Sequence, residues 1–473
     1  MLRTLSLVFV FNPFWGGMLQ GMPSPLPPAS KVSLKAYMDA VGELGHFSGV
    51  VLVARDGRAL FRGAYGMANL DQSIPNRPDT QFHIASLTKS FTAAAILRLA
   101  EQGKLKLDDQ LAAHFAETPK SWPPITLRHL LQHSSGLPDY ENLLGGIRSD
   151  RYRSLRSQPD HLIKLRAMAF ASELEFEPGA KFSYSNTGYL LLGYLVEQLS
   201  GQSFGDFVRQ QFLEPLGLRA SGQAHFSKPL AKLALSYRLK PDRQYAEVLR
   251  GFKPDSGMLV PAPAMRMETP NGAGGMYATA DDLRTWIDAL VYGSALKDDQ
   301  RKAMFTPGEA TYGLGWFIQT EDKRKSIFHT GSLPGYRSIL ATYPEERVTV
   351  VLVGNTDQRL GQISRDLAAI VFGEAVIVPR AHHIIEAEPN QFRHLFGKYQ
   401  REDGRIYEVT ADEEMVLIQE TDRFIAGMLP ESEDSFFVPM FRGNVTFLLD
   451  QAGNPTQLRA QVHGKEYLLK KME

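Results

Sequence analysis

The chain reads as an α+β protein: an antiparallel sheet flanked by helices, with a helical insert, plus a small C-terminal all-β barrel or sandwich domain. Three observations predict this. "FSGVVLVARDGRALFRGAYG" contains two β-rich runs joined by Asp56-Gly57, a strong signal for a two-residue hairpin turn. "GYRSILATYPEERVTVVLVGN", far along the chain, reads as a second strand pair turning near Pro344–Arg347. After Phe372 the helical patterns largely stop and short β-rich runs alternate with turn residues. Short loops join antiparallel strands, so the economical architecture is one sheet built from both ends of the domain.

With 473 residues the chain exceeds one core at the usual ~100–200 residues per domain. The texture divides it into a leader (residues 1–30), a main domain (31–375), a Pro-flanked linker (376–390) and the β domain (391–473). The leader holds Arg3 and the largely apolar run Leu5–Phe11, and resembles a short secretory signal. That predicts export, to the periplasm or the outside. A Pro-rich leader that is no signal would leave the chain in the cytoplasm. No later run approaches the ~18 apolar residues of a membrane span.

Hydrophobic residues make up 43% and charged residues 22%, with a formal net charge of +0, so no electrostatic footprint points to nucleic acid. Arg148, Arg151, Arg153, Arg156 and Arg166 cluster, and a solvated helix face accounts for them. The absence of cysteine excludes disulfides, thiolate chemistry and cysteine-ligated zinc. His382, His383 and Glu386 fall in the linker and do not make a metal site.

Between the strand groups the patterns are helical, as in "TLRHLLQHSSGL" and "GYLLLGYLVEQLSGQSFGDFVRQQFLEPLGL". One helix is unusual. "HIASLTKSFTAAAIL" (His83–Leu97) carries Ser86 and Lys89 three residues apart, on one face about a turn apart. Ala93–Leu97 then leave no polar face before Arg98, so the helix runs through a core. A lysine at the mouth of such a helix either snorkels to water or is held for chemistry. Serine is a weak nucleophile at neutral pH and needs a base, which a lysine supplies when burial lowers its pKa.

Two further segments give S-x-x-K its context. "FSYSNTGYLLLGYL" places Tyr184 and Asn186 just before an apolar helix. "IFHTGSLPGYRSILATYP" places His329-Thr330-Gly331 at the start of a strand, followed by Ser332. With "HSSGLPDY", "NGAGGMYATADDL" and "YGLGW", the chain from Lys31 to Phe372 resembles the serine β-lactamase and penicillin-binding protein superfamily, in its class C-like branch.

The resemblance implies an acyl-enzyme hydrolase with a β-lactamase/D,D-peptidase-like fold and no metal or cofactor. Ser86 is then the nucleophile, and Lys89 and Tyr184 move its proton. Asn186 holds the substrate amide and Lys89, and His329 and Thr330 read a carboxylate or its equivalent. Gly331 lets the strand approach the substrate, and the N–H groups of Ser86 and Ser332 form an oxyanion hole. Pairing His133 with Ser135 as base and nucleophile is the weaker assignment, because that stretch resembles a structural loop. Gly274-Gly275 reads as a backbone turn lining the site.

The third motif departs from class C β-lactamases, which carry lysine where this chain has His329. Histidine and the appended β domain look more like D,D-peptidases, D-amino-acid peptidases and esterases. The implied activity is hydrolysis of a peptide, amide or ester, with a small molecule or peptide as partner. The alternatives are a class C-like β-lactamase and a penicillin-recognising or scaffold protein without turnover.

Overall fold

The structure, a computed structural model, describes residues 32–472 except 147–148, 226–229, 240–258, 264–271, 322, 380–383, 386, 414, 421–423, 442 and 463–464. The leader and the His382, His383 and Glu386 cluster lie outside the described residues. The chain divides into two compact units.

The first unit includes Gly49–Arg238 and Pro261–Ser364. Its two strand groups meet in one sheet, as the hairpin signals predict. β1 (Gly49–Arg55) and β2 (Arg58–Tyr65) turn at Asp56 and Gly57, whose φ values of 50° and 71° suit a two-residue hairpin loop. β3 (Phe317–Glu321), β4 (Arg324–Leu333), β5 (Tyr336–Tyr343) and β6 (Val348–Gly354) come from the other end. The order is β3-β4-β5-β6-β1-β2, and every neighbouring pair is antiparallel. The seam runs from Gly49↔Gly354 to Arg55↔Val348. β6 is buried at every position, which explains why "VTVVLVG" is a continuous run with little polar alternation.

The helix α1 (Thr88–Glu101) is buried at every residue from Thr88 to Leu97, as its apolar run predicts. Alanines let other segments approach it closely. A Cβ on Gly315 would stand 2.9 Å from the Lys89 carbonyl oxygen and 3.1 Å from Ala93 Cβ, so "YGLGW" lies against this helix. α2 (Asn186–Ser200) packs along α1 and ends at Gly201, whose φ of 71° gives a left-handed cap. α3 (Ala280–Val291) packs on β1 and β6 and stacks Trp286 on Phe91, with ring centroids 4.1 Å apart.

The insert is less helical than its patterns suggest. "TLRHLLQHSSGL" yields only the five-residue helix Leu127–Leu131, and the chain leaves it through His133 at φ 57°. The arginine cluster also needs correction. Arg151 and Arg153 are exposed, but Arg156 is 4% exposed and faces inward; Arg148 is outside the described residues.

The second unit contains helix Leu34–Glu43, where Tyr37 is bonded to Asp366 at 2.5 Å, and a closed barrel. Its strands are β7 (Gly397–Arg401), β8 (Ile406–Ala411), β9 (Val416–Glu420), β10 (Phe424–Pro430), β11 (Ser435–Val438), β12 (Gly443–Leu449), β13 (Pro455–Val462) and β14 (Lys465–Lys471). β14 pairs back onto β7 through Tyr399↔Lys471, which makes it a barrel and not a sandwich. Closure leaves no sheet edge open. Among the described residues no helix is long and apolar enough to cross a membrane.

Candidate active site

Ser86 lies in a 3₁₀ turn, Ala85–Leu87, that runs directly into α1. Ala85 before it has φ 51°, a conformation that costs any residue with a Cβ. The surroundings hold this turn from two sides. Ile84 N–H donates to the Met276 carbonyl at 3.0 Å, and Ser338 Oγ donates to the Ile84 carbonyl at 2.8 Å. Gly331 on β4 crosses so closely that a Cβ there would stand 2.2 Å from the Ile84 carbonyl oxygen. Ser86 itself is partly exposed while its neighbours Ala85 and Leu87 are buried.

Lys89, one turn on, is fully buried. Its Nζ lies 2.7 Å from Asn186 Oδ1, 2.9 Å from the Ala273 carbonyl oxygen and 3.1 Å from Ser86 Oγ. Burial pushes its pKa down to about 7, although Asp139 and Glu141 act to raise it. A neutral amine has two protons and one lone pair. Asn186 Oδ1 and the Ala273 carbonyl can only accept, so they take the two protons. The Ser86 hydroxyl is the neighbour able to donate to the lone pair.

Tyr184 precedes α2 and Asn186 begins it. The Tyr184 ring lies 4.8 Å from Lys89 Nζ, and its hydroxyl is bonded to Ser86. Burial raises its pKa well above the ordinary phenol value, so the resting group is a neutral phenol. The His133 ring lies tilted against it, centroids 4.2 Å apart, and accepts the Ser185 N–H at Nδ1. Ser135 Oγ instead accepts from Leu137 N–H, so each member of the His133 and Ser135 pair has a structural bond of its own.

His329, Thr330, Gly331 and Ser332 lie together near the C-terminal end of β4, not at the start of a strand. The strand begins five positions earlier, at Arg324. His329 is 1% exposed, and both ring nitrogens have partners: Nδ1 lies 2.7 Å from the Thr330 carbonyl oxygen and Nε2 3.0 Å from the Tyr312 hydroxyl. A carbonyl can only accept, so Nδ1 carries the proton and Nε2 accepts from Tyr312. Burial first, and then the charge of Lys89, push its pKa down to about 3. Thr330 is partly buried and Ser332 exposed.

Several parts of this site lie in segments that carry the resemblance without a role assigned to them there. The Ala273 carbonyl is backbone, although "NGAGGMY" does mark the segment that delivers it. Tyr312 belongs to "YGLGW" but gains meaning only through His329. Asp139 of "HSSGLPDY" bonds both the backbone N–H and Nδ2 of Asn186 through one oxygen, at 3.0 Å each.

A family profile described as Beta-lactamase matches residues 34–372. Penicillin-binding protein 4* of Bacillus subtilis (strain 168) is 27% identical over 443 residues, covering 88% of this chain and 94% of that protein. A penicillin-binding protein from Bacillus halodurans is similar in structure, with a TM-score of 0.58, 28% identity, and coverage of 71% of this chain and 98% of that one. The octameric penicillin-binding protein homologue from Pyrococcus abyssi shares the fold over 92% of this chain and 99% of its own, with a TM-score of 0.62 and 24% identity. The match spans the sheet, α1–α3 and all three ordered motifs, and the chain belongs to the Beta-lactamase family.

Proposed function

We propose that the protein is a serine hydrolase that acts on a peptide, amide or ester through an acyl-enzyme at Ser86. Family membership supports serine-hydrolase-type chemistry in general. The observation that carries the finer reading is the arrangement at Lys89: two pure acceptors lie on its amine and Ser86 Oγ lies 3.1 Å away, which leaves the lone pair of the neutral amine for the serine. With a pKa near 7, the amine is free often enough at neutral pH to take the serine proton.

In this mechanism Ser86 Oγ attacks the carbonyl as its proton passes to Lys89. Tyr184, neutral and bonded to Ser86, relays the proton to the leaving group. Water then attacks the ester by the reverse route. The N–H groups of Ser86 and Ser332 stabilise the oxyanion, Asn186 and Thr330 contact the substrate, and Gly331 keeps β4 close to the acyl carbon. His329 acts through Thr330 and Tyr312. A neutral histidine in place of a cation supports amide or ester substrates over the anionic β-lactams.

The test is labelling with a fluorophosphonate, location of the adduct by mass spectrometry, and assay of p-nitrophenyl esters, D-amino-acid amides and nitrocefin. Ser86→Ala should remove label and hydrolysis without loss of fold. Wild-type turnover by Ser86→Ala would put the nucleophile elsewhere.

A further inference from the structure

Asn186 meets Lys89 through an amide, and an amide has two nearly isosteric ends. With Oδ1 toward Lys89 it accepts a proton from the amine. With Nδ2 there, it would donate into the lone pair that Ser86 needs. Nothing in Asn186 itself selects between these states. The selection comes from a residue 47 positions earlier in the chain. Asp139 Oδ2 receives Asn186 Nδ2–H and Asn186 N–H, each at 3.0 Å, and Asp139 Oδ1 receives Glu141 N–H at 2.8 Å. Asp139 is 8% exposed, so these bonds do not compete freely with water.

We propose that Asp139 is a positioning residue: as an acceptor it fixes the Asn186 amide with its oxygen on Lys89 and so keeps the lysine lone pair for Ser86. This rests on the reading of Lys89 as the base for Ser86. Its charge also acts on Lys89 at a distance, together with that of Glu141. The other groups facing Lys89 are His133, His329, Tyr184 and Tyr189. Burial holds both histidines below and both tyrosines above their usual ranges, so all four are neutral near pH 7. Burial pushes Lys89 down and Glu141 up, each to about 7. Burial pushes the Asp139 carboxyl above its ordinary value, against the three N–H bonds and the Lys89 charge, which favour its anion, and Arg156 faces Glu141 from the helix Asp150–Arg156.

The test follows the rate of Ser86 labelling by a small fluorophosphonate from pH 5 to 9 in the full chain. Such a probe has no peptide bond for Asn186 to hold. Asp139→Asn removes the charge and lets either amide end face Asn186. The labelling plateau should fall about tenfold or more, and the acid limb should move to lower pH. Asp139→Glu keeps a carboxylate acceptor for the Asn186 amide and should retain more of the plateau than Asp139→Asn. A folded Asp139→Asn that keeps the wild-type plateau overturns the assignment. A folded Asp139→Glu that labels no faster than a folded Asp139→Asn overturns it too. Failure of both variants to fold would make Asp139 a structural residue and overturn the positioning role as well. A wild type that carries no label on Ser86 would instead remove the reading of Lys89 as base.

Discussion

His329 Nε2 accepts the Tyr312 hydroxyl at 3.0 Å while Nδ1–H of the same ring is held by the Thr330 carbonyl at 2.7 Å. The third motif therefore presents a neutral, fully bonded ring rather than a cation. Nothing about His329 changes between pH 5 and 9, since its pKa lies at about 3. Any pH dependence in that range comes from other groups.

His329→Lys should consequently fail to act as a simple gain of a carboxylate receptor. The new ammonium would be buried in the site that already confines Lys89. Like charge then lowers the pKa of Lys89 further, moving the acid limb of acylation to lower pH. Stability should fall by an amount typical of a poorly paired buried charge, ~3 kcal/mol or more, and Tm should fall with it. Faster nitrocefin turnover with an unchanged Tm would show that position 329 faces substrate after all.

Acylation should be limited by the free amine of Lys89. Rates should rise with pH through about 7 and level above it, because protonation removes the lone pair. Lys89→Ala and Tyr184→Phe should each cost about 10²–10⁴-fold in labelling or ester hydrolysis. A flat pH profile with an active Lys89→Ala would assign the base elsewhere.

Gly331→Ala tests the crossing of β4 over the turn that holds Ser86. The added Cβ would meet the Ile84 carbonyl oxygen at 2.2 Å and Ser338 Oγ at 2.3 Å. The hydroxyl can rotate, but the backbone carbonyl two residues before Ser86 cannot yield alone. We expect a loss of about 1–3 kcal/mol of stability and a larger proportional loss of Ser86 labelling. Calorimetry paired with labelling rates reads both, and full labelling in a destabilised variant would separate the crossing from the chemistry.

The sheet was legible because Asp56-Gly57 and the valine-rich runs act locally, each through its own turn chemistry and burial. Ser86, Lys89, Tyr184, Asn186 and the β4 tetrapeptide were legible as an ordered set, since no one of these short patterns is specific alone. Asp139 and Tyr312 were not, because their roles exist only across 47 and 17 residues of intervening chain. The Ala273 carbonyl was hidden for a different reason: a backbone acceptor leaves no residue type to read. Arg156 misled in the opposite direction, since helical spacing turned one member of a basic cluster inward while Arg151 and Arg153 stayed in solvent.

The barrel should fold by itself. Its strands close through Tyr399↔Lys471 and Arg401↔Leu469, so a fragment starting near Ala387 keeps every strand pair. Its core is separate and aromatic. Phe392 meets Phe436 at 4.9 Å, Phe436 meets Phe447 at 5.7 Å, and Phe447 meets Tyr399 at 5.6 Å. The Tyr399 hydroxyl donates to the Leu395 carbonyl at 2.6 Å, so the one polar tip in that chain of rings is satisfied. A domain of roughly 85 residues is marginal, which makes each ring a large share of its stability. Residues 387–473 expressed alone should show β-rich circular dichroism and one cooperative thermal transition. Phe447→Ala removes the ring that touches two others and should cost about 3–5 kcal/mol, enough to abolish that transition in the fragment. A fragment that melts without cooperativity would show that the closed ladder and its aromatic chain do not suffice.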